Sequence, residues 1–456
     1  MAKPTRQHPE KKRPASPAPQ PKAAAKTAAG AASGVSSGAL ISRRASDRLR
    51  FGHVWVYASE IESLTLPEPG SDATPALLPV ADNRGLLLGT ALYSPTSQIA
   101  LRMVAREALD EAAWLELLAE RLGRAVDRRR PMLDAENDSC RLCFSEADEL
   151  PGIIADKYGD LVILQLLAKG LDSAKVRETC VDALRKALAH TAIPTSAPAA
   201  ILERPDPRIR ELEGLSAPSA EPLWLADPNV YKASTQFHLN GLTFHYDANA
   251  GQKTGAFLDQ HANYAAAQQW AAKMTPGGRA LDVCCYQGGF ALHLARVCQR
   301  VTGIDASHAS LEVAERNLEA NRAQPESGIR AQVDWIEADA FEILRDWSSA
   351  GERFDAIVLD PPAFAKSKRA VEGALRGYKE LNLRALRMLN HGGLLITCSC
   401  SHHVGWADLE AAVASAAADA GRRVRLLQRR GAAPDHPVVL NLPETEYLKC
   451  LVLEVE

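Results

Sequence analysis

Two cysteines near the end of a predicted buried strand carry a side chain that can act as a nucleophile. Cys398 and Cys400 stand in the sequence Thr-Cys-Ser-Cys-Ser at residues 397–401. A thiolate there could attack C6 of a pyrimidine, so that C5 could take a methyl group from a sulfonium; loss of the C5 proton would then expel the sulfur. Strand alternation places both thiols on one face if the strand runs through both residues. The alternative is that both are small buried hydrophobic residues, as free cysteines usually are.

Four aspartates mark the ends of consecutive predicted strands. They are Asp282, Asp305, Asp339 and Asp360. Ligands of parallel α/β sheets bind at the carboxyl ends of the strands, so we expect these side chains at one edge. Asp305 could accept both hydroxyls of a ribose, and Asp339 could meet the edge of an adenine. Any single aspartate could instead cap a helix, but the set of four favours a cofactor site.

The turn after the first of these strands contains Gly288 and Gly289, which let the backbone approach a ligand. A dinucleotide site would normally show the pattern Gly-x-Gly-x-x-Gly, which this turn lacks. S-adenosylmethionine has no pyrophosphate that needs a helix N-terminus, so the turn and the aspartates favour this cofactor. The sequence predicts no metal site, because Cys140 and Cys143 form a Cys-x-x-Cys pair without a second pair at zinc-finger spacing.

The elements that position these residues indicate an α/β fold in three parts. Residues 246–456 alternate strands and helices, which is typical of a doubly wound, Rossmann-like domain. Its strands are predicted at 280–284, 301–305, 333–337, 354–360, 393–398 and 447–453. Residues 39–106 read as a small β-barrel with strands at 53–57, 76–80, 86–92 and 99–104. Residues 107–245 read as an α+β domain with helices at 110–130 and 173–189 and a hairpin of 152–156 with 161–166.

Composition agrees with a folded chain of several domains. The 456 residues are 46% hydrophobic and 24% charged, which excludes a wholly disordered or fibrous protein. Residues 1–38 are predicted to be disordered. Their net charge is +6, against −9 for the rest of the chain, which favours weak binding of a polyanion. The alternative is that this tail is an extension without a function. No apolar run reaches the roughly 18 residues that a bilayer requires, so no membrane partner is expected. Few, scattered cysteines and no recognisable secretory signal favour the cytoplasm.

Several motifs resemble the RlmI family of bacterial large-subunit ribosomal RNA cytosine-C5 methyltransferases. They are Asp-Pro-Pro-x-Phe at 360–364, Ser-Cys-Ser at 399–401, Gly-Gln-Lys-Thr-Gly-Ala-Phe-Leu-Asp-Gln at 251–260, His-Val-Trp-Val-Tyr-Ala-Ser at 53–59, Glu-Ala-Asp-Glu-Leu-Pro-Gly at 146–152 and Asp-His-Pro-Val with Glu-x-x-Tyr-Leu-Lys at 435–449. The similarity runs from about residue 40 to the end. It implies an N-terminal PUA domain, S-adenosylmethionine as cofactor and 23S ribosomal RNA as partner. The oligomeric state stays open, with a homodimer as one option.

The same resemblance implies roles for individual residues. It makes Cys400 the nucleophile and leaves Cys398 as an extra thiol. It also implies that Asp360 faces the target base. Lys253 and Asp259 join the cofactor-binding set, together with the strand-end aspartates and the two glycines of the turn.

Two departures from the family pattern keep other functions open. Pro362 stands where other RNA C5 methyltransferases have a second cysteine, and Ala363 stands where a lysine is expected, so the base that removes the C5 proton is not identified. Asp-Pro-Pro-x-Phe is also similar to turns that position an exocyclic amine, so methylation of a base nitrogen, including guanine N7, is a second hypothesis. A non-catalytic RNA-binding assembly factor is a third. Phe257, Phe364 and Tyr378 are candidates to receive a base turned out of its stack.

Overall fold

The computed structural model describes residues 37–66, 76–189, 197–249, 256–365 and 367–456. The first sheet is formed by β1 Gly38–Ile41, β2 Trp55–Tyr57, β3 Ile61–Thr65, β4 Leu77–Ala81, β5 Leu87–Tyr93 and β6 Ile99–Ala105, with helix α1 Arg43–Arg50 after β1. Its strand order is β2-β6-β5-β4-β1-β3. The four predicted strands are present with ends shifted by one or two residues, whereas β1, α1 and β3 were not predicted.

The central sheet has five strands in the order β11-β10-β9-β8-β7. In chain order the elements are α2 Glu111–Arg129, β7 Cys140–Phe144, β8 Ile153–Tyr158, β9 Leu161–Leu166, α3 Ala174–Ala189, β10 Ala200–Glu203, α4 Pro207–Glu213 and β11 Trp224–Leu225. Asp110 caps α2 by accepting the Ala113 N–H, and Trp114 and Leu118 lie on the buried face of that helix. Both predicted helices and the predicted hairpin are confirmed.

A hairpin of β12 Ser234–Leu239 and β13 Leu242–Asp247 follows the central sheet. Phe237, Phe244 and Tyr246 of this hairpin pack in the same hydrophobic core as Phe290 of the C-terminal part. The predicted domain boundary between residues 245 and 246 therefore falls inside β13. The division of the chain into three domains stays a prediction. Residues 1–36 of the predicted basic tail lie outside the residues that the structure describes.

The C-terminal sheet has seven strands in the order β16-β15-β14-β17-β18-β20-β19. Its elements are α5 His261–Met274, β14 Arg279–Val283, α6 Gly289–Leu294, β15 Arg300–Asp305, α7 His308–Arg322, β16 Gln332–Glu337, α8 Ala340–Ala350, β17 Phe354–Leu359, α9 Val371–Met388, β18 Leu389–Ser399, α10 Trp406–Ala420, β19 Val424–Arg430 and β20 Lys449–Val455. Strands β14 to β18 pair in parallel, which confirms the doubly wound α/β prediction. The closing strand β20 is antiparallel to both neighbours, and β19 was not predicted.

Alternation along β17 shows why this sheet is buried on both faces. Ile357 and Leu359 pack in one hydrophobic core, while Ala356 and Val358 pack in the core on the opposite face. The chain runs outward from β14 to β16 and then returns to β17 on the other side of β14. The strand order reverses between β14 and β17, so the carboxyl ends of these two strands border a ligand crevice. Among the described residues, the helices are too short or too polar to cross a membrane.

The segment between β19 and β20 is fastened to the central sheet by Asp435, which is fully buried. Its Oδ2 accepts the Arg141 backbone N–H at 2.8 Å, and its backbone carbonyl accepts a hydrogen bond from Arg129 at 2.9 Å. Burial by itself would raise the pKa of Asp435, but His436 and His261 outweigh burial and hold that pKa below its usual range.

Replacing Asp435 by Asn should destabilise the fold at neutral pH. We expect the free energy of unfolding to fall by about 3 kcal/mol, because the ion cluster loses its carboxylate. The lowered folded-state pKa means that this contribution is present above about pH 4 and is lost as the pH falls further. Urea unfolding followed by circular dichroism should therefore show the difference at pH 7 and show it shrinking below about pH 4.

The exposed Asp127 on α2 provides the matched control. Asp127→Asn breaks a surface pair with Arg130 and should change the free energy of unfolding by less than about 0.5 kcal/mol. Equal stabilities of the wild type and Asp435→Asn at pH 7 would contradict a stabilising role for the Asp435 cluster.

Candidate active site

The end of β18 presents one thiol to the edge of the sheet and buries the other. Ser399 Oγ and Ser401 Oγ lie 2.8 Å and 3.0 Å from the Tyr378 hydroxyl, which is buried. Between the two serines, Cys400 is half-buried, and its Sγ lies 3.9 Å from the Pro361 carbonyl oxygen. The strand ends at Ser399, so the predicted shared face for the two thiols is not formed. Cys398 is fully buried opposite Cys450, as a small hydrophobic residue would be.

Asp360 follows β17, and the next residue, Pro361, contacts Cys400 in the turn formed by residues 399–401, the thiol turn. Its backbone N–H donates to the Val283 carbonyl at 3.2 Å, which ties the end of β17 to the end of β14. Its Oδ2 accepts a hydrogen bond from Gln260 Nε2 at 2.9 Å. Gln260 is buried, and its own carbonyl accepts a hydrogen bond from Asn263 at 2.7 Å. Gln260 stands in the same quoted motif as Asp259, but it had been given no role in the site.

Asp282 lies at the end of β14 with its carboxylate fully buried. Its Oδ2 accepts the Ala291 N–H at 2.8 Å, whereas Oδ1 has no hydrogen-bond partner among the described residues. Burial raises the pKa of Asp282 well above its usual value, and Asp360 and Asp305 raise it further. One buried carboxylate oxygen is thus left without a donor from the residues that the structure describes.

Two aromatic rings leave no space for a side chain at the glycines after β14, and the turn also favours glycine at Gly288. Gly288 has a φ of +84°, and a Cβ there would lie 2.9 Å from the Trp335 ring. A Cβ on Gly289 would lie 2.4 Å from the Tyr264 ring. The space that these glycines leave on that side is therefore filled by protein, and any approach to a ligand is through their backbone.

Asp305 and Asp339 each hold backbone groups at the same edge. Asp305 accepts the N–H groups of Tyr286 and Ser307, both at 2.9 Å, so it joins β15 to the glycine turn. Asp339 is exposed and caps α8 through the N–H groups of Phe341 and Glu342. For Asp339 the helix-cap alternative is therefore present in the structure, and a contact with adenine stays a prediction.

All four strand-end carboxylates act on one thiol, that of Cys284. Burial raises the pKa of Cys284, and Asp305, Asp360, Asp282 and Asp339 raise it further, in that order. The predicted convergence of the four strand ends is therefore present. An acidic edge with one unpartnered carboxylate oxygen fits S-adenosylmethionine, which carries a positive sulfonium and a positive ammonium group.

Of the two remaining predicted cofactor residues, one is described by the structure and one is not. Lys253 is outside the described residues. Asp259 is buried and accepts a hydrogen bond from the Tyr447 hydroxyl, so it links the start of α5 to the segment before β20. Lys449 ends the quoted Glu-x-x-Tyr-Leu-Lys motif but had been given no role. It is buried and donates hydrogen bonds to Ser401 O at 2.8 Å and Tyr447 O at 2.7 Å.

The aromatic candidates differ in their surroundings. Tyr378 is only 1% exposed and is held by both serines, so it packs the core and cannot stack on a base. Phe364 is half-buried, with its ring centroid 4.9 Å from Tyr378 and 5.9 Å from Phe341. Phe257 meets the Tyr286 ring edge-on at 5.0 Å, next to the glycine turn.

Comparison with known proteins agrees with the fold. A PUA-like domain family matches residues 40–106, and a methyltransferase domain family matches residues 280–381. The structure of SMU.776, a methyltransferase candidate solved with SAH, superposes with a TM-score of 0.72 at 18% identity, covering 91% of this chain and 99% of that one. A SAM-dependent methyltransferase candidate from Streptococcus mutans gives the same TM-score and coverage at 17% identity. These similarities establish the fold.

Sequence relatives are more specific. Ribosomal RNA large subunit methyltransferase I of Photobacterium profundum is 35% identical over 404 residues, covering 88% of this chain and 95% of the relative. The protein of the same name from Pseudoalteromonas translucida is 34% identical over 412 residues, covering 89% and 96%. With this identity sustained over almost the full length of both relatives, the chain belongs to the ribosomal RNA large subunit methyltransferase I family.

Proposed function

We propose that this protein methylates C5 of a cytosine in 23S ribosomal RNA, with Cys400 as the covalent nucleophile. The family supports a large-subunit ribosomal RNA substrate, since its members carry that substrate in their name. The observation that carries the covalent mechanism is the position of Cys400, half-buried at the edge of the sheet and 3.9 Å from the carbonyl of Pro361 in the Asp-Pro-Pro turn.

S-adenosylmethionine is the cofactor, and when bound it supplies an electrophilic methyl group. Asp305, on the β15 end, is suited to accept the ribose hydroxyls, since its two oxygens already face the glycine turn and the start of α7. Asp339 marks the adenine side, and the unpartnered Oδ1 of the buried Asp282 accepts a hydrogen bond from the cofactor. Lys253 and Asp259 complete the proposed binding set from the segment before α5.

The base is held between the thiol turn and the Asp-Pro-Pro turn. The Cys400 thiolate adds to C6 of the cytosine, which makes C5 a nucleophile toward the methyl group that the bound cofactor would supply. Loss of the C5 proton to a base then breaks the C6–sulfur bond and restores the thiolate. Asp360 faces the amino edge of the base, and the hydrogen bond from Gln260 fixes the orientation of its carboxylate. The PUA-like sheet contributes RNA contacts away from the reacting ring, and the enzyme acts in the cytoplasm.

Replacing Cys400 by Ala should abolish transfer to ribosomal RNA while leaving cofactor affinity intact. We expect the rate to fall by more than about a thousandfold, because the covalent path is removed. Transfer of a labelled methyl group measures the rate, and calorimetry with S-adenosylmethionine measures binding. Cys398→Ala is the matched control, since that thiol is fully buried two residues away, and it should keep transfer.

Methylation of a base nitrogen needs no thiol, so full activity of Cys400→Ala would replace the C5 mechanism by that alternative. Bisulfite sequencing of ribosomal RNA from cells with and without the protein then reports the base and position. A single protein-dependent cytosine that resists bisulfite supports C5 transfer. A protein that binds RNA but not S-adenosylmethionine would instead be an assembly factor.

Replacing Asp305 by Ala should weaken S-adenosylmethionine binding. The loss of charge-assisted hydrogen bonds to the ribose is expected to raise the dissociation constant about 10- to 100-fold. Asp334→Ala is the control, because Asp334 lies lower on β16 and pairs with Arg300 at the surface. Equal dissociation constants for the wild type and Asp305→Ala would remove the ribose assignment.

A further inference from the structure

A buried lysine lies next to the turn that carries the proposed nucleophile. Lys449 is 3% exposed and begins β20, where it pairs in register with Ser399 of β18. Its Nζ donates to the carbonyl of Ser401 at 2.8 Å and to the carbonyl of Tyr447 at 2.7 Å. The first of these carbonyls belongs to the residue that follows Cys400. Since burying an ammonium is costly, its place here calls for an electrostatic partner.

The charged groups around Lys449 identify that partner. Burial lowers the pKa of Lys449, and Cys400 is the largest influence in the opposite direction, ahead of Glu446 and Asp408. Glu446 and Asp408 are both exposed, so water screens their charges, whereas Cys400 is half-buried. An interaction between two groups is reciprocal, so a positive Lys449 favours the negative form of the neighbouring sulfur.

The other neighbours of Cys400 work against a thiolate. Asp360 lies at the same turn as Pro361, and a carboxylate disfavours a second negative charge nearby. Tyr378 lies close enough to both groups for them to affect its pKa. Burial raises the pKa of Tyr378, the hydrogen bonds with Ser399 and Ser401 lower it, and Cys400 and Asp360 raise it. A positive Lys449, which interacts with Cys400, opposes this repulsion.

We propose that Lys449 is the positioning residue for the Cys400 nucleophile. Its ammonium stabilises the Cys400 thiolate and, through the Ser401 carbonyl, fixes the turn that aims the sulfur at the Asp-Pro-Pro turn. This inference deepens the proposed function, because it rests on Cys400 acting as the attacking group. It assigns to the closing strand β20 a part in the chemistry.

Thiol alkylation of the full-length protein tests this without RNA or cofactor. The thiolate displaces iodide from iodoacetamide and forms a thioether, so the alkylation rate follows the thiolate fraction. Tandem mass spectrometry of the peptide that contains both thiols quantifies Cys400 separately from Cys398. Across a pH series, the wild-type midpoint for Cys400 should lie below the value of about 8.5 for a free cysteine.

Three variants separate charge from hydrogen bonding. Lys449→Gln keeps N–H donors for both carbonyls but is neutral, Lys449→Met removes charge and donors, and Lys449→Arg keeps the charge. We expect the midpoint to rise by about one pH unit or more in the Gln and Met variants and to stay near the wild-type value in the Arg variant. The alkylation of Cys284 serves as an internal control for an intact fold and should be the same in all variants.

A wild-type midpoint at or above about 8.5 would overturn the proposal, and this measurement needs no variant. An unchanged midpoint in a folded Lys449→Gln protein would overturn it as well. Methyl transfer adds a second readout: the Gln variant should lose about tenfold in kcat at pH 7, recover as the pH rises, and keep its KM for RNA. These results are distinguishable from failure of the proposed function, which shows instead as full activity of Cys400→Ala.

Discussion

The site depends on one buried hydroxyl, that of Tyr378, which binds the side chains of Ser399 and Ser401 at once. These two hydrogen bonds hold the residues on either side of Cys400 in the interior, at the point where β18 has just ended. Cys400 lies between the two serines, half-buried at the edge of the sheet. The same hydroxyl lies in the core between α9 and β18, so the fold and the thiol turn are stabilised together.

Around this turn the fold concentrates negative charge at a point where carboxylates are costly to bury. Asp305 offsets that cost with two backbone N–H groups, and Asp360 offsets it with Gln260. Asp282 offsets the cost of burial less completely, since only one of its two carboxylate oxygens has a hydrogen-bond partner among the described residues. A site that carries incompletely satisfied acids is less stable than an apolar one of the same shape, and a cationic ligand recovers part of that difference on binding.

The sequence predicts the features that depend on local pattern. The α/β alternation, the four strand ends and their aspartates follow from periodicity, and the structure places them together. The roles of Gln260 and Lys449 could not be found in this way, because their contacts join residues 100 and 48 positions apart in the chain. The prediction that the two thiols share a face failed because β18 ends at Ser399, and the exact end of a strand is poorly defined by local pattern. Asp339 illustrates the remaining ambiguity, since one carboxylate can cap a helix and still border a ligand.

The insertion of β20 between β18 and β19 has a consequence for how the protein is made. The thiol turn is synthesised about fifty residues before the strand that supplies Lys449, so a nascent chain carries β18 with one unpaired edge while translation continues. Until residue 455 has left the exit tunnel, that edge is open to mispairing with other chains. Slow synthesis over this interval would therefore favour aggregation, and a chaperone that shields the edge would raise the yield of native enzyme.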